Sequence, residues 1–407
     1  MTAVDTVRQE LSNGIQSPEV FPVLASPWLR YKTMKYEPLP SLEQYLKETE
    51  EGILCKHTHP LYPNLVGFKY SKLTVYLGNW TDCALRARGI AFDMNTGLPV
   101  ARPWDKFFNY EELIQRPSLR EKLERHPQNP CLYPNMTDKF RVSDKLDGSL
   151  GILYCYDGQW LVKTAGFFTS AEANWANERL SEFVNLSNLN TAYTYLFEII
   201  WLSAPMTHPL TRFYNEDGLV LIGVVNTQTG EEVLDAKDLE TIAEEIGTKC
   251  AQNFVFDDFQ SAVTWAKERP KDKEGVVITF DSGFKVKIKG KEFLELQSMF
   301  HNIDKSYIID QLVNGKVKEI MDIPEELPDM KQFAENLEAI YQEKLAMCQD
   351  VAAGFLLDKM ERKDVYQAVI SKDDLRPFTN VVMRMVYGGK LGFDETFRRW
   401  AHDTLTP

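Results

Sequence analysis

From Val66 to about Ile288, apolar residues alternate with polar ones or gather in short β-branched and aromatic runs, the texture of strands. SLGILYCYDGQWLVKTAG, beginning at Ser149, predicts two strands around Asp157-Gly158, a pair suited to a tight hairpin turn. TAYTYLFEIIW (from Thr191) and GLVLIGVVN (from Gly218) predict two more strands. GVVITFDSGFKVKIK, from Gly275 to Lys289, predicts a second hairpin with a three-residue turn. Helical patterns interrupt near Asp238–Ile246, stopped by Gly247, and over Phe259–Lys267. Beyond Lys291 the period changes: Phe333, Leu337, Ile340, Tyr341, Leu345, Cys348 and Ala352 recur at three- and four-residue steps and so line one face of a long helix. Helical patterns continue to the end, broken by Pro377 and Gly388-Gly389. Residues 1–65 read as an irregular, proline-punctuated extension with a short helical pattern around Leu42–Leu54. The fold class is therefore α+β: a mixed body over residues 1–292, then an all-helical domain over 293–407, about 110 residues and an ordinary domain size.

Composition changes this picture little. Apolar residues make up 44% and charged residues 26% of the 407, enough for a full core without disulfide or metal staples. The net charge of −13 argues against non-specific coating of nucleic acid, which needs a basic face, but leaves room for a local basic groove. Six scattered cysteines with no C-x-x-C pair point to a reduced compartment, and the cytoplasm is expected. Cys55, His57 and His59 form C-x-H-x-H, but a structural zinc site normally takes four ligands and no second cluster accompanies them. No stretch approaches the run of about 20 apolar residues that spans a bilayer, so no membrane association is expected.

The candidate chemistry centres on Lys145-Leu146-Asp147-Gly148-Ser149, just before the first hairpin. Taken alone, Lys-x-Asp-Gly is a turn with a solvated lysine. Its company downstream is less ordinary. Glu198 lies within an apolar strand, where a carboxylate is costly without a charged partner or a metal. Glu274-Gly275 opens another strand, and Lys287 and Lys289 alternate with Val286 and Ile288, placing both ammonium groups on one strand face. A Lys-x-Lys strand is often just a protected edge. Together, however, these residues supply a nucleophile, two carboxylates and two cations, a set suited to nucleotidyl transfer. A lysine attacks only when deprotonated, and neighbouring cations favour that state. Lysines and Mg²⁺ can neutralise charge on an attacked phosphorus, and carboxylates offer Mg²⁺ hard oxygen ligands.

At these residues the chain resembles the covalent nucleotidyltransferases: DNA ligases, RNA ligases and mRNA capping enzymes. RARGIAFDMNTGLPVARPWDKFFNYEE, residues 86–112, narrows the likeness to the bacteriophage RNA ligase 1 family, whose signature runs Arg-Gly, an apolar strand, then Arg-Pro-x-x-Lys-Phe-Phe-Asn. The similarity extends from about Val66 to the C-terminus, and the first 60 residues match nothing in that family. The resemblance implies a nucleotidyltransferase core of antiparallel sheets, ATP-grasp-like, with helices. It implies Lys145 as AMP acceptor and Gly148 as the point where backbone approaches the nucleotide. Arg88, Lys163, Lys287 and Lys289 would contact the ATP phosphates; Lys106 and Phe108 would border the pocket, Phe108 offering adenine a stacking face. Glu198 and Glu274, with Asp147, would serve Mg²⁺ or Mn²⁺ directly or through water. The family's Lys-x-Lys-Gly appears here as Lys163-Thr164-Ala165-Gly166, without the second lysine.

The resemblance implies an ATP-dependent RNA ligase that joins 5′-phosphate and 3′-hydroxyl ends in RNA repair, with a nicked tRNA or other structured RNA as partner, acting as a monomer. A DNA ligase or capping enzyme is the nearest alternative, but helices rather than the short strands of an OB-fold follow Lys289. An inactive RNA-binding relative is a second, opposed by the intact set Lys145, Glu198, Glu274, Lys287 and Lys289. An unrelated α+β protein with a chance motif is a third, opposed by the Arg102–Asn109 segment. Scattered Arg384, Lys390, Arg398 and Arg399 are candidates for phosphate contact in the helical domain.

Overall fold

The structure, a computed structural model of the chain, describes residues 39–119, 139–204, 213–316, 323, 327–389 and 392–406. Three sheets carry the body. The first is antiparallel, in the order β1 (Leu54–Thr58), β2 (Leu65–Tyr70), β3 (Arg88–Asp93), β4 (Pro99–Ala101). The remaining strands are β5 (Phe108–Asn109), β6 (Phe140–Lys145), β7 (Ser149–Tyr156), β8 (Gln159–Thr164), β9 (Tyr193–Ile200), β10 (Gly218–Asn226), β11 (Lys249–Cys250), β12 (Asn253–Phe254), β13 (Gly275–Phe280) and β14 (Lys285–Lys289). They form two five-stranded sheets, β11-β10-β9-β7-β8 and β12-β6-β13-β14-β5. Pairing is antiparallel except for the short β10–β11 and β14–β5 contacts, which are parallel.

Period-two burial decides what each sheet covers. In the second sheet Leu153, Tyr195, Phe197 and Ile199 pack against helices Ala171–Glu178 and Ala236–Glu245. Ile152, Tyr154 and Leu196 turn the other way, onto Leu65, Ala91 and Ala101 of the first sheet. In the third sheet Val142, Val276, Ile278, Val286 and Ile288 bury against helix Phe259–Lys267. Its opposite face carries the candidate cations. The expected hairpins are present, with Asp157 (φ 49°) and Gly158 (φ 73°) in the left-handed region as a two-residue turn requires.

One expectation is corrected. The helix expected around Leu42–Leu54 is present as Leu42–Glu50, but the stretch after it is not irregular: β1 joins the first sheet. Tyr45 is fully buried against Phe68 and Phe92, with ring centroids 5.2 and 5.0 Å away, a burial that stabilises by about 2 kcal/mol. Residues 1–38 lie outside the described residues, as does Lys390.

The helical region has its own core, with Leu337, Cys348 and Ala352 of helix Pro328–Leu357 packed on Val365, Phe378, Val382 and Phe397. The boundary expected after residue 292 falls inside helix Lys291–Asn302. Gln297 of that helix accepts from the Lys289 ammonium at 3.1 Å, and Phe293 packs beneath the same ammonium. Arg398 is ion-paired to Asp310 and Glu395, which competes with its expected use on phosphate.

The third sheet tolerates no side chain at Gly275. Its φ is 152°, and a Cβ there would lie 2.0 Å from the Ile288 carbonyl oxygen. Gly275→Ala is expected to destabilise the body by roughly 3 kcal/mol or more, read as a lower urea midpoint with unchanged slope. An unchanged midpoint would show that β13 and β14 do not pair in this register.

Candidate active site

Lys145 is the last residue of β6 and Ser149 the first of β7, so the Lys-x-Asp-Gly motif is the crossing between the second and third sheets. At the crossing a Cβ on Gly148 would sit 2.4 Å from the Ile199 carbonyl oxygen and 3.2 Å from the Glu198 Cγ. The close approach that needs this glycine is thus to β9, the strand bearing Glu198. The Asp147 backbone N–H donates to the Tyr214 hydroxyl at 2.7 Å.

Register assembles the rest. Gly275 faces Lys145 on one side and Lys289 on the other, so both lysines rise from the same sheet face. Glu274, 6% exposed, lies between them. One of its oxygens is 2.5 Å from the Lys145 ammonium and the other 3.0 Å from that of Lys289. The next row runs Ser143, Val277, Lys287, Asn109 and the third Arg141, Thr279, Lys285, giving three aligned lysines along β14. Lys285 is buried in an ion pair with Glu232 and stands over the Trp104 ring. A small pocket at Lys145 is lined by Asp144, Asp147, Tyr214, Glu274 and Phe293. A larger cavity, lined by Trp104, Lys106, Phe108, Glu232 and Lys285, lies at the other end of the strip.

Burial, with crowding of like charges added to it, sets the electrostatics. Burial, then the positive charges of Lys106, Lys145, Arg88 and Lys289, push the Lys287 ammonium down to about 7. Lys106 is lowered to about 8 by burial and Arg88. Burial raises Glu198 to about 7, against the pull of Lys145 and with a further push from Glu274. Shifts of this kind cluster at functional sites and also in buried ion-pair networks.

Several expected residues take other positions. Phe108 is 2% exposed, with the Lys106 ammonium 4.4 Å over its ring and Trp80 against its edge; it seats Lys106 and has no open stacking face. Lys163 is wholly buried and donates to the carbonyls of Gly89 and Thr164, each at 2.9 Å. The expected metal set of Glu198, Glu274 and Asp147 does not assemble into a three-ligand group, and no such group occurs among the described residues. Both oxygens of Glu274 are instead ion-paired to lysines. Nor do Cys55, His57 and His59 form one: His59 Nδ1 accepts from the Leu61 and Tyr62 N–H groups, and burial drives His57 down to about 3.

Sequence reasoning missed Tyr214 and Arg269. The Arg269 guanidinium is buried between the Phe254 and Trp265 rings and donates to Asp144 (2.6 Å) and to the Gly275 carbonyl (2.7 Å). It thereby fixes the strand ends that carry Lys145 and Glu274. Neither residue sits in a motif, so no local signal marked them.

Residues 86–293 match a family profile described as RNA ligase, which spans half of the chain. The chain belongs to this RNA ligase family. The match takes in the Arg-Gly and Arg-Pro-x-x-Lys-Phe-Phe-Asn segment, Lys145, both glutamates and the Lys287/Lys289 pair. A protein of Autographa californica nuclear polyhedrosis virus, named as a bifunctional polynucleotide kinase/RNA ligase, is 26% identical over 166 residues. That match covers 36% of this RNA ligase family member and only 22% of the viral protein. Among solved structures, an archaeal ATP-dependent RNA ligase is similar at 14% identity and a TM-score of 0.44, over 78% of this chain and 80% of the other. A Naegleria gruberi RNA ligase solved with AMP and Mn is similar at 19% identity and a TM-score of 0.32, over 40% of this chain and 52% of the other.

The lowered lysines give this family member a testable linkage. With pKa values lowered to about 7 and about 8, Lys287 and Lys106 lose part of their charge in the free protein as pH rises through that range. A bound phosphate favours both ammonium forms, so the complex holds more protons and affinity falls as pH rises through 7 and 8. Calorimetry of ATP binding at pH 8 in buffers of different ionisation enthalpy should show net proton uptake. Heats independent of buffer would mean the two lysines do not meet the phosphates.

Proposed function

We propose that this chain is an ATP-dependent RNA ligase working through a covalent lysine–AMP intermediate on Lys145. The observation that carries the reading is the amine of Lys145 at the crossing of two sheets, joined by one carboxylate to Lys289 and beside a strip of lysines. Before attack the ammonium must lose a proton, and Glu274 is the acceptor already within hydrogen-bond reach. The amine then forms an N–P bond to the α-phosphorus of ATP, while the P–O bond to pyrophosphate breaks and its electron pair leaves with pyrophosphate. Lys289 and Lys287, with Arg88 and Lys106, lie where they can neutralise the oxygens of the attacked phosphate.

A divalent ion, Mg²⁺ or Mn²⁺, would supply further charge neutralisation. With no preformed cage among the described residues, it would be shared with the nucleotide's own phosphates, an ordinary arrangement for Mg²⁺. Glu198 is the carboxylate suited to hold it, since a cation would offset the burial that keeps its proton on. In the second step a 5′-phosphate oxygen at an RNA end attacks the same phosphorus and releases the lysine; in the third a 3′-hydroxyl displaces AMP. On this reading the separate helical core selects the RNA, a cleaved tRNA being the candidate, and the chain acts as a monomer.

The test is incubation with α-labelled ATP and Mg²⁺, then a denaturing gel. Wild type should retain label and GTP should give none. Lys145→Ala should lose label by at least about 100-fold, and so should Lys145→Arg, whose guanidinium stays protonated and cannot attack. Label retained on folded Lys145→Ala would sink the assignment, and labelling by GTP as strong as by ATP would favour a capping-type enzyme.

A further inference from the structure

We propose that Lys163 is a positioning residue that sets the direction of Arg88 through a bulge at Gly89, without touching phosphate itself. The inference rests on the reading of Arg88 as a ligand for the nucleotide's phosphates.

Between β2 and β3 the register places Phe68 opposite Ile90 and Lys69 opposite Arg88, so Gly89 is an extra residue on β3. Such a bulge breaks the alternation of side chains and re-aims the residue beside it. Gly89 has φ 104°, and a Cβ there would lie 2.7 Å from Ile152 Cδ1 and 2.8 Å from the Ala165 Cα. The bulge is therefore pressed against β7 and against the turn that follows Lys163. Its carbonyl is held from that side: the Lys163 ammonium donates to the Gly89 oxygen at 2.9 Å and to the Thr164 oxygen at 2.9 Å, with the Phe168 ring 5.0 Å below.

Arg88 is the residue just before the bulge on β3. Its guanidinium lies 5.0 Å from the Phe107 ring centre, and its charge acts on Lys106, Lys287 and Glu198. Lys163 is not among the principal charges acting on those three groups. The charge that acts on Lys163 is Lys69, which together with burial lowers it to about 7. A wholly buried amine this close to neutrality, spent on two carbonyls, fixes backbone and is poorly placed to take a phosphate. A small shift of Arg88 is nevertheless expensive, because a misplacement of about 1 Å at a reacting site costs up to about 100-fold.

A double-mutant cycle on KM for ATP in lysine–AMP formation tests this, with the folded fraction of each protein measured by circular dichroism. Lys163→Met should raise KM about 10-fold in the wild-type background and less than about twofold when Arg88→Ala is already present. Lys163→Gln keeps a neutral donor and should lose less than Lys163→Met; a phosphate-binding cation would lose equally in both. Penalties that multiply in the double variant would overturn the proposal, as would Arg88→Ala leaving KM unchanged, since nothing would then need positioning. If Lys163→Met does not fold, the comparison of Lys163→Gln with and without Arg88→Ala decides by the same criterion. Wild type that forms no lysine–AMP refutes the ligase reading itself, a separate result.

Discussion

The site depends on one buried carboxylate standing between two ammonium groups. Glu274 can reach both Lys145 and Lys289 because Gly275, next to it, lies between them in the sheet and has no side chain to part them. Removing that carboxylate would leave two partly buried cations facing each other, a change that costs about 3–5 kcal/mol in comparable buried pairs. The same contact joins sequence regions 129 residues apart, so it orders the third sheet as well as the Lys145 side chain. Arg269 reinforces it from behind by holding Asp144 and the Gly275 carbonyl together.

Around that contact the protein concentrates positive charge on one face of a chain whose net charge is −13. Lys285, Lys287 and Lys289 are aligned by strand geometry, and Arg88 and Lys106 approach from the first sheet and the segment after it. Burial, and after it the neighbouring positive charges, lowers the Lys287 and Lys106 ammonium groups.

Much of the body was legible in the sequence because its signals are local. Asp157-Gly158 and the Asp281-Ser282-Gly283 turn stated their hairpins, and helix Phe259–Lys267 follows from its own apolar period. The N-terminal part was read less well. The helix before β1 was legible as a local pattern, but prolines hid β1, and the burial of Tyr45 against Phe68 and Phe92 is a tertiary contact with no local trace. The helix Lys291–Asn302 likewise crosses the expected domain boundary because Phe293 and Gln297 are wanted beneath Lys289, a requirement that periodicity does not express.

For the site, the sequence alone determined the chemical inventory: Lys145, Glu198, Glu274, Lys287 and Lys289, their order, and the strand alternation that puts the last two on one face. Residue type and a period of two are local properties, and they suffice for that. Tertiary structure alone decided which carboxylate meets which cation, that Phe108 seats Lys106 and has no open face, and that Lys163 turns to backbone. Those outcomes depend on strand register and on the bulge at Gly89, and register comes from contacts between segments far apart in the chain.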